Sequence, residues 1–314
     1  MINSERAFVN AIKKYCSGHD IDYKEKSLGW LIVMQRGDRR RFAFGYDLGL
    51  NNAVAHRILS DKAATTDVLN ICGVPCVPHK LFLSPKLYRY IKPSGSWQEM
   101  LGLLNANSNG VVVKPNEGTG GNSVFRVRSE PELERAVHKI FSSENSLAIS
   151  PYLEIEDEVR VILIDYEPIV VYSKERPSIV ADGERSFLQL AVATVPPEQL
   201  STVLPDMLKD LDKPTLDTIL PAGKRGELNW RHNLGAGAQP VLLDDGARRE
   251  ACVQIAQAAA KSIGVRFGSI DVVRVDGTWL VLEINSGVMM ESLSRSHPEL
   301  VDAAYAVALD KVFE

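Results

Sequence analysis

Apolar residues recur at helical spacing in SERAFVNAIKKYC, NNAVAHRIL, DKAATTDVLNICG, EPELERAVHKIF, DDGARREACVQIAQAAAKSIG and HPELVDAAYAVALDKVF, which predicts a helix in each. Asp61 is placed to cap the third of these and Gly73 to end it. Shorter runs predict strands: LGWLIVMQ and RRFAFGY, joined by the turn RGDR as a small hairpin, then NSNGVVVKP and NSVFRVRS. LAISPYL, EVRVILID and EPIVVYSKE follow in succession, and FGSIDVVRV and TWLVLEIN flank the turn at Asp276-Gly277. GVPCVPH reads as an extended connector. Between residues 186 and 228 prolines punctuate the chain and the pattern predicts one short helix. Helices and strands are interleaved and antiparallel signals dominate, so the fold class is α+β. No internal repeat is visible.

Composition narrows the partners. At 314 residues, 45% hydrophobic and 24% charged with a net charge of −4, the chain has room for two or three subdomains and a sizeable core. Its mild acidity argues against a nucleic-acid binder that works by neutralising phosphates. No stretch approaches the ~18 to 20 apolar residues of a membrane span. The cysteines Cys16, Cys72, Cys76 and Cys252 are too few and too scattered for a disulfide scaffold, and no histidine cluster accompanies the Cys72/Cys76 pair. The expectation is a reduced, cytoplasmic, globular protein.

Three features could carry chemistry. KPNEGTGGNSV, residues 114–124, sits between two strands, so its glycines form the tip of a hairpin. Glycine backbone can converge its N–H groups on a phosphate, and Lys114 adds charge, but the Walker pattern GxxxxGKS/T and its following helix are absent. A mobile surface hairpin and a phosphate loop both fit. IDVV…LVLEIN places Asp271 and Glu283 on two arms of one hairpin, with Asn285 two residues beyond Glu283 on the same face. A two-residue turn pairs 271 with 282 and sends Asp271 to the other face. A three-residue loop, Val275-Asp276-Gly277 with Gly277 left-handed, pairs 271 with 281 and gathers the three oxygen ligands; the expectation is the three-residue loop. Two carboxylates and an amide oxygen suit a hard cation such as Mg²⁺, whereas one carboxylate facing solvent would leave no such site. Finally, Glu158 and Arg160 share a face, as a cross-strand ion pair or as groups for a ribose and a phosphate.

The order of these features resembles the ATP-grasp superfamily, and within it the ligase domains of cyanophycin synthetases and fused glutathione synthetases. RILSDKAATTDVLNICGVPCVP, VVVKPNEGTGGNSV, IVADGERSFLQL, LDTILPAGKRGELNWRHNLGAGA and FGSIDVV…LVLEINSG carry the likeness, which covers roughly residues 55 to 292. It implies two α+β subdomains clamping ATP, with a reduced N-terminal domain: 1–55 as a small domain and 56–314 as the ATP-grasp domain, split into 56–150 with the glycine lid and 151–314 with the metal site. Lys62 and Lys114 match the lysines on the ATP phosphates, and Glu117, Gly118, Gly120 and Gly121 the lid. Ser150, Pro151, Tyr152 and Leu153 match the adenine linker, Glu158 the ribose carboxylate, and Asp271, Glu283 and Asn285 the ligands of Mg²⁺, for which Mn²⁺ can substitute. Arg160, Arg176, Arg231 and Asn233 fall around the transferred phosphate, and His232 reads as a loop residue.

The implied activity is an ATP-dependent carboxylate–amine ligase. An amino acid or small peptide supplies the carboxylate, an amine accepts it, and an acyl phosphate lies between. A phosphotransferase, a thiol-acceptor ligase and a non-catalytic ATP-binding module are the alternatives, and a homodimer is one option for assembly. One departure stands out: NSGVMMESLS lacks the proline the family carries after Glu-x-Asn, which leaves Met289, Met290 and Glu291 either lining a different substrate site or packing.

Overall fold

The computed structural model describes residues 6–92, 95–118, 120–211, 213–244 and 246–314, with the backbone alone at 198, 202 and 206. Ser4 and Glu5 of the first expected helix, Thr119 of the glycine loop and Asp245 before the long helix lie outside the described residues.

The first helix, α1 (Ala7–Gly18), buries Phe8, Val9, Ala11, Ile12, Tyr15 and Cys16 along one stripe. Three antiparallel strands follow: β1 (Asp22–Lys26), β2 (Leu31–Arg36) and β3 (Arg39–Phe44). The expected hairpin is the β2–β3 pair. Strand β1 has no buried residue and so no hydrophobic pattern from which to predict it. Helices α2 (Ala53–Ser60) and α3 (Lys62–Ile71) start where expected, capped by Asn52 and Asp61; the Asp61 carboxylate accepts from the Ala64 N–H at 2.8 Å. Gly73, at φ 71°, follows the end of α3.

A four-stranded antiparallel sheet comes next. Its strands are β4 (Lys80–Leu83), β5 (Val111–Pro115), β6 (Phe125–Val127) and β7 (Ser146–Pro151), in the order β4-β7-β5-β6. Helices α4 (Trp97–Ala106) and α5 (Glu130–Phe141) cover one face, where Met100, Leu104, Leu133 and Ile140 pack on Phe82, Val111, Val113 and Ile149. Because side chains alternate along a strand, Lys114 and Ser150 belong to the opposite face. The sequence pattern predicts neither β4 nor α4, although Ser96 and Glu99 form a capping box there.

Strand β8 (Asp157–Ile164) turns through Asp165-Tyr166, both left-handed, into β9 (Glu167–Glu175). Within β9 the chain passes from one structural unit to another: the first holds the residues up to Val171 and from Asp244 onward, the second Tyr172–Leu243.

In the second unit, the end of β9 pairs with β12 (Gln239–Leu242), and β10 (Ser178–Val180) pairs with β11 (Arg225–Glu227), all antiparallel. Between these ladders lie α6 (Phe187–Thr194), α7 (Pro197–Asp210) and α8 (Lys213–Asp217). Ile179, Phe187, Leu190, Val203, Met207 and Leu228 form the unit's own core. The expectation of one short helix is therefore corrected to three among the described residues. Pro197 and Pro214 occupy first-turn positions, where proline is tolerated, and Pro205 lies on the exposed face of α7, whose Val203 and Met207 belong to the core, so prolines that read as breakers start or sit within helices.

The first unit resumes with α9 (Gly246–Ile263), β13 (Phe267–Val275), β14 (Thr278–Asn285), α10 (Glu291–Ser294) and α11 (Pro298–Phe313). Here β13 runs antiparallel between β8 and β14. Helix α1 docks on α11, with the Tyr15 hydroxyl donating to Asp310 at 2.6 Å and Lys14 to Asp302 at 2.8 Å. Glu291 accepts the Ala7 N–H at 2.8 Å and so caps α1, while Met290 is buried. Met290 and Glu291 therefore pack within the structure, whereas Met289 is exposed. Among the described residues no helix is long and apolar enough to cross a membrane.

Candidate active site

The β13–β14 connection is a two-residue turn, not the expected three-residue loop. Val275 pairs with Thr278, and Asp276 and Gly277 both have positive φ, 47° and 75°. Such a turn matches the twist of the flanking strands. A regular ladder from it would have put Asp271 opposite Leu282. Instead the register slips between Asp271 and Val272: Val272 pairs with Val281, but Asp271 pairs with Glu283. Leu282 is the extra residue of a β-bulge. The bulge restores what the loop was expected to do, setting the two carboxylates directly across from each other, with Asn285 opposite Ser269.

On its other edge Asp271 pairs with Arg160 and Val273 with Glu158. Arg160, Asp271 and Glu283 thus form one row across three strands. Asp271 is only 3% exposed, and Arg160 grips it with two charge-assisted hydrogen bonds, Nε to Oδ1 and Nη2 to Oδ2, both 2.7 Å. The cross-strand ion pair foreseen for Arg160 is real, but its partner is Asp271. Glu158 is buried nearby on the same strand, two residues before Arg160, and Glu283 is half-buried, so neither carboxylate of the expected metal pair is freely solvated.

Lys114 is the second element of the site. It is buried at the end of β5, and that burial pushes its ammonium down to about 8. Glu283 and Glu158 act to raise it and Lys62 to lower it, so all three lie within electrostatic reach of Lys114. Lys62 is the first residue of α3, a position where the helix dipole disfavours a cation. Its ammonium donates to the Gly118 carbonyl at 2.8 Å and to the Asn116 carbonyl at 3.4 Å, tying α3 to the glycine loop. Strands β5 and β6 flank that loop as an antiparallel hairpin, as expected. Gly118, Gly120, Gly121 and Ser123 all have positive φ, and Glu117 and Gly118 are exposed. Ser150 and Pro151, expected in a linker, are the last residues of β7, with Ser150 buried and Pro151 half-buried; just beyond the strand Tyr152 is buried and Leu153 half-buried, the Tyr152 N–H donates to the Gly110 carbonyl at 3.0 Å, and the Arg126 guanidinium stacks on the Tyr152 ring at 3.3 Å.

The remaining expected residues lie in the second unit. Arg176 pairs with Glu227 at 2.6 Å. The Arg231 N–H donates to the Asn229 Oδ1 at 3.0 Å, and its guanidinium stands 3.7 Å from Asp210. The Asn233 side chain caps a single 3-10 turn by accepting the Gly235 N–H at 2.7 Å.

Several polar residues near these elements carry no motif in the sequence. His79 is buried, with Nδ1 3.1 Å from the Thr66 hydroxyl and Nε2 unpartnered among the described residues. Burial, then Lys114 and Lys62, hold its imidazole well below the ordinary histidine range. Asn116 accepts the Ala63 N–H through Oδ1 at 3.2 Å, while its Nδ2 is buried without a partner among the described residues; its place inside the KPN run was the available signal. In the second unit Lys174 is buried and its carbonyl lies 2.6 Å from the Nδ1 of His232, whose Nε2 is unpartnered among the described residues. His232 is thus a buried, anchored side chain.

No protein-family model matches the sequence, and no curated protein does. Solved structures do match. A bifunctional glutathione synthetase from Pasteurella multocida aligns over 96% of this chain with a TM-score of 0.55 at 16% identity. This chain spans only 44% of that protein's length. The D-alanine–D-alanine ligase of Bacillus anthracis aligns over 83% of this chain and 68% of its own, with a TM-score of 0.54 at 18% identity. A structure of that ligase complexed with ATP gives 0.52 at 17%. The chain has the α+β ATP-grasp fold of these ligases.

Proposed function

We propose that this protein is an ATP-dependent carboxylate–amine ligase acting on an amino acid or small peptide. The observation that carries the reading is the Arg160–Asp271–Glu283 row, created by a bulge, whose Glu283 is in electrostatic reach of Lys114, which in turn feels Lys62. Buried charges are expensive, and a fold that needed only stability would not assemble two carboxylates, a guanidinium and two lysines around one sheet face. The structural neighbours include a ligase with ATP bound, which agrees with this use of the site.

The donor set fits a hard cation: two carboxylates face each other, and Asn285 follows Glu283 on the same face. Asp271, Glu283 and Asn285 would hold Mg²⁺, with the bidentate Arg160 fixing the Asp271 carboxylate. When bound, Mg²⁺ supplies charge neutralisation at the transferring phosphoryl group. Lys114 and Lys62 meet the phosphates of ATP, the glycine hairpin covers them, Glu158 takes the ribose, and the 150–153 linker takes adenine. The substrate carboxylate attacks the γ-phosphorus, ADP leaves, and the resulting acyl phosphate is attacked by the amine nitrogen with loss of phosphate. No protein nucleophile is needed, because positioning and charge stabilisation supply the catalysis.

An ADP-release screen of the purified protein against pairs of amino acids, with Mg²⁺ present, tests this. Release that depends on both a carboxylate and an amine is the expected result. ADP release without an amide product would shift the assignment to phosphotransfer or a thiol acceptor, and a blank across all pairs would sink the ligase reading.

A further inference from the structure

The second unit contains a cavity of about 320 Å³, lined entirely by its own residues. That volume is at the lower end of the roughly 300 to 1,000 Å³ usual for small-molecule sites. Its floor is the unit's core: Val195, Val203 and Leu228, each buried, come from the end of α6, from α7 and from the chain after β11. An apolar floor selects a ligand with an apolar body.

Charge at the rim narrows the class. Arg176, Arg225 and Glu175 all line the cavity. Arg225 and Glu227 stand two apart on β11 and share a face, and Glu227 is the partner that neutralises Arg176 at 2.6 Å. What remains is one exposed guanidinium, Arg225, and one exposed carboxylate, Glu175 at the end of β9; among the described residues neither makes an ion pair. A bare anion would leave Glu175 as a repulsive neighbour, and a bare cation would do the same with Arg225. A zwitterion satisfies both.

We infer that the second unit carries a binding pocket for a free α-amino acid with an apolar side chain, its carboxylate on Arg225, its ammonium towards Glu175 and its side chain on the Val195–Val203–Leu228 floor. This goes beyond the ligase reading, since occupancy requires neither nucleotide nor Mg²⁺ and stands whether or not ADP is formed.

Isothermal titration of the full chain, without nucleotide or metal, against leucine, methionine and phenylalanine in both configurations is the test. At least one saturates a single site per chain. Its analogues lacking the ammonium or the carboxylate (4-methylpentanoate and 3-methylbutylamine for leucine) bind at least about tenfold more weakly. Arg225→Gln and Glu175→Gln each weaken binding by about tenfold. Thr194→Trp, at an exposed rim position, also weakens it while the thermal unfolding midpoint stays unchanged. Failure of all six amino acids to saturate overturns the inference, as does equal binding of the truncated analogues. Binding unchanged in all three variants overturns it too, because the ligand would then sit elsewhere.

Discussion

The β13–β14 hairpin holds its charged side chains by register: Asp271 and Glu283 are opposed across a bulge, and Arg160 clamps Asp271 from the neighbouring strand at 2.7 Å. The β5–β6 hairpin of the same unit holds its groups by loop conformation, through left-handed Gly118, Gly120, Gly121 and Ser123 and an ammonium from Lys62 on the Gly118 carbonyl. One hairpin is embedded in a sheet between charged partners; the other projects an exposed tip. The contrast matches the two tasks proposed for these hairpins. Ligands of a cation must be held still, which paired strands do, and a cover for phosphates must open and close, which backbone left free by glycine permits.

The largest expected effects fall on the embedded hairpin. Glu283→Gln lowers Mg²⁺-dependent ADP formation by at least about 100-fold, with the unfolding midpoint within a few degrees of the parent. Asp271→Ala loses the same activity and also about 3 to 5 kcal/mol of stability, because the largely buried Arg160 is left without its carboxylate. Urea unfolding of the two variants side by side checks the difference, and equal stabilities would remove the distinction between ligand and clamp.

A middle-sized pair of effects compares glycines at the root and the tip of the other hairpin. At Gly110, φ 87°, an added Cβ runs into the Val127 carbonyl oxygen, so Gly110→Ala costs about 2 to 4 kcal/mol. At Gly120, φ 77°, the nearest atom is 3.9 Å away, and Gly120→Ala brings only left-handed strain of roughly 1 to 2 kcal/mol, confined to the loop. Global stability should respond to the first and nucleotide affinity to the second; the reverse ranking would show that the tip, not the root, holds the sheet.

The smallest effect is on pH. The His79 imidazole is held well below its ordinary value of 6.5, first by burial and then by Lys114 and Lys62. The unfolded chain therefore binds the proton that the native state refuses, and stability falls as pH drops below about 6.5 and is complete above it. His79→Gln should flatten the loss of urea midpoint between pH 7.5 and 5, and an unchanged acid limb would show that His79 titrates normally.

Much of this architecture was legible in residue pattern. The capped helices after Asn52 and Asp61, the amphipathic EPELERAVHKIF and the strands EVRVILID and EPIVVYSKE are local objects, encoded by periodicity and caps. Strand β1 was not, because a fully solvated edge carries no burial signal. Helix α7 was hidden by prolines whose tolerance depends on position within the helix and on the core beneath. That Asp271 and Glu283 come together was legible in IDVV and LEIN, yet the route by which they meet was misread: a two-residue turn with a bulge, not a longer loop.

The sequence by itself determined the menu: which segments are helix or strand, which glycines sit at a hairpin tip, and which acidic residues interrupt apolar strands. Only the tertiary structure decided that Leu282 bulges, that Arg160 pairs with Asp271, and that Glu175 and Arg225 stand at one cavity rim. Register and pairing join residues more than a hundred positions apart, as with Arg160 and Asp271, and their energies depend on neighbours that local sequence does not contain.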